Sequence, residues 1–323
     1  MSLDLAIRRN YSKLQQAALG ALRRGLLQAW KDCAPGAPGE PDFVACLSLH
    51  TVPDLQTRWE AILRPCGVRL AIAGVFCHQK PIVDLIPSSK RGCELGDILV
   101  VHIHHGAGVT TRVALLLQAK ISPSLALSLK SSELHQLRLY ELWPTFRYRT
   151  PSSLRGRQRS ILPQCRHLGA QYLLIDGGNP TNPSTGLASG SVAFPLAVSM
   201  ATNPLIGHAS LDEELVKTLL GLSGRPFADR KGTGKLDGWS SMVWDLLELA
   251  AAKAAFRRRA IGSKLPRYSG QPLAELDGEG VFSGGRSEFD ALTSKFMARD
   301  DDGRGPDGGA GVSVIVLETF FSD

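Results

Sequence analysis

The sequence predicts an α/β fold: a central mixed β-sheet with flanking helices, followed by a helical, loop-rich C-terminal extension. Three observations predict it. Residues 94–120 hold two apolar, β-branched runs split by a short Gly-containing loop, the pattern of an antiparallel hairpin. Segments with a 3.6-residue apolar period lie on both sides of that hairpin. The run Val312-Ser-Val-Ile-Val-Leu-Glu318 is a strand too apolar to remain unpaired, so it is expected to return to the core sheet.

Taken in order, Leu5, Leu14, Ala18, Leu22, Leu26 and Trp30 predict one long amphipathic helix over 3–31, stopped by the Pro/Gly stretch that follows. A strand is read at 43–50 and a helix at 53–63, with Asp54 near its start. A strand at 68–77 comes next, and then the hairpin, its strands at 94–104 and 112–120. A further strand is read at 171–175. Helices are read at 211–220 and 239–260, the second burying Met242, Leu246, Leu249 and Ala250 on one face. Residues 300–311, rich in Asp and Gly, read as an exposed flexible loop. The organisation expected is an N-terminal helix and linker (1–40), a core (41–180) and the extension (181–323).

Composition excludes a wholly disordered or fibrous chain: hydrophobic residues make up 43% of 323, charged residues 21%, and Gly shows no three-residue period. The formal charge of +7 is concentrated, because residues 101–200 hold ten Lys+Arg against three Asp+Glu. The stretch 147–166 alone carries Arg147, Arg149, Arg155, Arg157, Arg159 and Arg166 with no acid, a pattern suited to phosphate contacts. Tyr140, Trp143, Phe146 and Tyr148 lie beside it and are read as core anchors rather than base-stacking platforms. Arg257–Arg259 end a helix and suit its dipole. Six cysteines, with no Cys-x-x-Cys pair, no export signal at the start and no membrane-length apolar run, lead to an expectation of reduced thiols in a cytoplasmic protein.

The hairpin carries the chemistry. Gly96-Asp97 heads its first strand, and Leu117-Gln118-Ala119-Lys120 closes its second, so Gln118 and Lys120 share a face. An acid on one strand and Gln-x-Lys on its neighbour resembles the PD-(D/E)XK nuclease superfamily, and more narrowly the Mrr-like branch in which Gln replaces the second acid. The resemblance covers about residues 55–176. It implies a restriction-endonuclease-like core and a metal-dependent endonuclease acting on DNA rather than RNA, in a defence or repair role. By the same analogy a homodimer is expected, while the length of the C-terminal half outside the resemblance leaves room for a regulatory partner or signal that gates the enzyme.

Asp97 and Gln118 would then hold Mg²⁺ or Mn²⁺, and Lys120 would orient the attacking water or stabilise charge on phosphorus. Because Gln removes one negative charge, another acid is expected to help: Glu60 first, on the 53–63 helix where family members place an acid, then Glu94, then Asp84. The alternative is a non-catalytic nucleic-acid-binding or scaffold protein on the same fold, motivated by that same Gln118. His102, His104 and His105 read as a polar strand end rather than a metal site. Gly232-Thr-Gly-Lys lacks the P-loop spacing, Gly186-Leu-Ala-Ser-Gly is no nucleophile elbow, and Asp176-Gly-Gly-Asn179 reads as a turn.

Overall fold

The hairpin forms the middle of a large mixed sheet in the computed structural model, which describes residues 2–77, 81–87, 92–106, 108–122, 124–163, 169–177, 196–230, 236–259, 291–292 and 311–321. Residues 300–310 of the loop, Cys165, Arg166, the segments around Gly186 and Gly232, and the side chains of Arg257–Arg259 lie outside the described residues.

The N-terminal helix is divided. Helix α1 (Leu3–Arg9) ends where the Asn10 amide donates to the Ala6 carbonyl (3.0 Å), and α2 (Tyr11–Cys33) begins afresh. Leu14, Ala18, Leu22 and Leu26 are buried as their spacing requires, whereas Leu5 is exposed. Residues 43–50 are a second departure: they form helix α3 (Glu40–Leu49), not a strand. Phe43 to Ser48 are all buried, so the segment carries no polar stripe, and a short apolar run cannot distinguish a buried helix from a strand. Pro41 in its first turn, and the Gly39 N–H donating to the Asp42 carboxylate (2.8 Å), start the helix. Helix α4 (Thr51–Leu63) follows, and its buried Trp59 donates Nε1–H to the Leu14 carbonyl (2.8 Å), tying α4 to α2.

The strands in chain order are β1 (Val68–Val75), β2 (Ile82–Leu85), β3 (Cys93–Glu94), β4 (Ile98–His105), β5 (Thr110–Ile121) and β6 (Ala126–Leu127). A short turn of helix (Ser131–Glu133) leads into α5 (Leu134–Leu142), which sequence periodicity left unread. Then come β7 (Phe146–Tyr148), β8 (Gln158–Arg159), β9 (Ala170–Ile175), β10 (Leu196–Ser199), β11 (Leu205–Ile206), β12 (Ala209–Ser210), α6 (Leu211–Leu219), β13 (Arg225–Pro226), α7 (Gly238–Arg259) and β14 (Ser313–Phe321).

The main sheet runs β1-β14-β4-β5-β9-β10-β12, with β13 paired to β5. β4 and β5 are antiparallel, whereas β14 lies parallel to β4 and β9 parallel to β5, so the sheet is mixed. The last strand therefore inserts between β1 and β4. Helices α1–α4 and α6 pack on one face, helices α5 and α7 on the other, and side chains alternate between the two cores along β4 and β5. A smaller sheet, β3-β2-β7-β8, lies beside α5 and α7. Among the described residues no helix is long and apolar enough to cross a membrane.

Candidate functional site

The site lies where β4 begins and β5 ends. Gly96 is required there: a Cβ would come within 2.7 Å of Leu116 Cδ1 and 2.9 Å of Tyr140 Oη. Asp97 follows, its N–H donating to the Leu117 carbonyl (2.9 Å) and its carbonyl accepting from the Ser313 N–H (3.0 Å). It is thus pinned between β5 and β14. The β4–β5 register pairs Ile98 with Leu117, which sets Asp97 opposite Gln118.

The Asp97 carboxylate accepts from the Ala119 backbone N–H (2.8 Å) and from the Gln118 side-chain amide. Gln118 is fully buried, and its Oε1 accepts from Gln136 on α5, whose Nε2 also reaches the Glu94 carbonyl oxygen (3.2 Å). Lys120 lies two residues along the same face, its ammonium 3.1 Å from the Glu133 carboxylate.

A cleft of about 420 Å³ opens over these groups. Helix α3 contributes Glu40, β3 contributes Glu94, and Asp97, Lys120, Ser132, Glu133, His135 and Gln136 also line it. Burial pushes the Asp97 carboxyl up to about 8, and Glu40 and Glu94 push in the same direction; the Ala119 N–H and Lys120 pull back only in part. Burial works to lower the Lys120 pKa, but Glu40, Glu133 and Asp97 together outweigh it and raise the value. Glu133 is lowered, because the Lys130 N–H and Lys120 outweigh its own burial. At neutral pH Lys120 is charged and Asp97 largely holds its proton.

The structure therefore brings Asp97, Gln118, Lys120 and Glu94 together, although Gln118 sits behind the lining rather than in it. Glu60 is elsewhere: on α4 it accepts from Gln56 (3.2 Å), and the same Gln56 amide donates to the Leu70 carbonyl of β1 (2.6 Å). Asp84 on β2 pairs with Arg149, away from the lining. The upstream acid that does face Asp97 is Glu40, which sequence reasoning had assigned to the end of the linker. Its signal was Gly39-Glu-Pro-Asp42, a helix start with acids in the first turn.

The arginines divide into two groups. Arg157 and Arg159 both pair with the buried Asp245 of α7 (3.3 and 2.7 Å), and Arg159 also lies over the Tyr148 ring. Arg149 pairs with Asp84. Arg147 and Arg155 are exposed and, among the described residues, have no acidic partner within ion-pair distance. Tyr140, Trp143, Phe146 and Tyr148 are buried in the α5–α7 core.

The histidines occupy the opposite end of β4, where His102 Nε2 and His104 Nδ1 share the Thr319 hydroxyl (3.0 Å each). His105 stacks on Phe320 and meets Glu318 (3.1 Å). Burial, helped by its neighbouring histidines, pushes His102 down to about 3, so it is a neutral core group. No family model, curated protein or solved structure matches the chain.

Proposed function

We propose that this cleft is the active centre of a metal-dependent endonuclease acting on DNA, built on a nuclease-like core (41–180) with a C-terminal extension. The observation that supports it most is the register pair Asp97–Gln118, with Lys120 one step further on the same face and a carboxylate-lined cleft above. The residues suit a hard divalent cation. Burial, with repulsion from Glu40 and Glu94 added to it, holds a proton on Asp97, and a cation of the Mg²⁺ or Mn²⁺ kind would relieve that repulsion. Once bound, it would polarise the phosphate and acidify a water.

Asp97, Glu94 and Glu40 would hold the cation. Gln118 acts on Asp97, aiming the carboxylate through its amide while Gln136 fixes the other end. Lys120, kept charged by Glu133, would orient the nucleophile or meet charge on the phosphate. Arg147 and Arg155 are available to backbone phosphates. A defence or repair role, a homodimer and a regulatory partner on the C-terminal half belong to the same proposal.

A second reading, a non-catalytic nucleic-acid-binding protein, is favoured by one observation: Gln118 and Lys120 already have protein partners. The experiment incubates supercoiled plasmid, and separately RNA, with Mg²⁺ or Mn²⁺ and wild type, Asp97→Ala or Lys120→Ala. Metal-dependent DNA nicking lost in both folded variants supports the nuclease. Nicking that survives both refutes the site. Salt-sensitive binding without cutting supports the second reading.

A further inference from the structure

A second cluster of ligand-type side chains lies outside the cleft, where α2 ends against α3. Asp32 is on the last turn of α2. Cys46 and His50 are four residues apart, which places both on one side at the C-terminal end of α3. One Asp32 carboxylate oxygen, Oδ2, is 4.0 Å from Cys46 Sγ and 3.9 Å from His50 Nε2. The three candidate donor atoms all lie within 4.8 Å of one another. The other oxygen, Oδ1, accepts from the Gln28 amide (2.8 Å). That bond holds the carboxylate with its second oxygen turned toward sulfur and imidazole, as outer partners of metal-bound carboxylates do.

We propose that Asp32, Cys46 and His50 form a transition-metal site of the zinc class that clamps α2 to α3. The donor set selects the metal: a thiolate and an imidazole suit zinc-class ions and not Mg²⁺, which takes oxygen. Bond lengths of about 2.0–2.3 Å in a tetrahedron put ligand atoms roughly 3.3–3.7 Å apart. The observed 3.9 and 4.0 Å therefore need to close by about half an ångström, and the sulfur–imidazole pair, within 4.8 Å, by no more than about 1.3 Å, which a turn of the exposed His50 side chain can supply.

Charge also balances. Binding breaks the Cys46 S–H bond, releases that proton to water and forms a sulfur–metal bond. A thiolate, a carboxylate and a neutral imidazole then neutralise a divalent ion. Water fills the fourth position on the exposed His50 side. Cys46 is six residues from Glu40, about 9 Å along the helix. The clamp thus steadies the helix that presents Glu40 to the cleft, but its existence does not depend on what the cleft does.

The test titrates the full chain with Co²⁺, whose thiolate charge-transfer band reports a sulfur ligand. One equivalent should produce the band, and Zn²⁺ should displace it. Cys46→Ser should abolish it, and Asp97→Asn should leave it unchanged. The half-exposed His50→Ala, which spares the core, should weaken affinity at least about tenfold. Thermal melts of each variant verify folding. The proposal is overturned if the folded wild type gives no thiolate band in excess Co²⁺. It is overturned equally if the band survives Cys46→Ser, or if His50→Ala binds like wild type.

Discussion

Replacing Asp97 by Asn should make the protein more stable at alkaline pH and leave its stability at acid pH nearly unchanged. Burial raises the Asp97 carboxyl to about 8 in the folded chain, against an ordinary aspartate value of 3.8 when unfolded. A folded pKa raised this way means that the folded state keeps a proton the unfolded state has lost. The contribution is complete below the unfolded value and disappears as pH rises through the folded one. At about 1.4 kcal/mol per unit, the loss between about pH 5 and about pH 9 is on the order of 4 kcal/mol. Asn retains an oxygen for the Ala119 N–H and the Gln118 amide, and it cannot ionise.

The assay is urea unfolding of wild type and Asp97→Asn across that range. The difference between the two chains is the readout, since titrating groups remote from the cleft contribute equally to both. The difference should favour Asn increasingly as pH rises. Millimolar Mg²⁺ should restore alkaline stability to wild type and not to Asp97→Asn, because a cation that prefers the ionised carboxylate pulls its pKa down. Parallel pH profiles would refute the electrostatic account of the cleft. Equal stabilisation of both chains by Mg²⁺ would refute Asp97 as its ligand.

Gly96→Ala forces a methyl group against Leu116 and the Tyr140 hydroxyl. Denaturant melts should show a loss of about 1–3 kcal/mol, and a variant as stable as wild type would show that the approach is looser than its distances indicate. Asp245→Ala leaves Arg159 half-buried beside a lost partner and should cost about 3–5 kcal/mol in the same melts. Arg147→Ala with Arg155→Ala should leave stability unchanged, weaken DNA binding and reduce the log–log salt slope by about 2, read by fluorescence anisotropy over a salt series. An unchanged slope removes both from the phosphate path.

The parts legible in the sequence were those whose signal is local. The hairpin, the strand at the C-terminal end and the helices over 53–63, 211–220 and 239–260 each carried their own period. Asp97 could be set on one strand and Gln118 and Lys120 on its neighbour because a hairpin is a local pattern, whereas the register that puts Asp97 opposite Gln118 is fixed only by the pairing of Ile98 with Leu117. The α3 helix was illegible because it is buried all round and has no polar face to reveal its period. Glu40 was missed with it, because an acid at the start of a helix points to a cleft only once that helix is placed. Arg157 and Arg159 resembled the other arginines because Asp245, the residue that neutralises them, is more than eighty positions away.

The charge of the basic segment and the charge of the cleft have opposite signs. Residues 101–200 hold all of the net positive charge, yet the cleft at the end of β5 sets Glu40, Glu94, Asp97 and Glu133 against Lys120. Lys120 is already paired with Glu133, and two of the arginines are absorbed by Asp245. A phosphate entering the cleft would meet carboxylates. On the proposed reading, the exposed arginines recruit nucleic acid without help, whereas the cleft accepts a phosphate only after a divalent cation has reversed its sign. Gln118 fits this arrangement. A carboxylate at that fully buried position would add a further negative charge beside an Asp97 that already keeps its proton to about pH 8. The neutral amide can still aim Asp97 by a hydrogen bond, and on the proposed reading a cation would be held by Asp97 with acids supplied from α3 and β3.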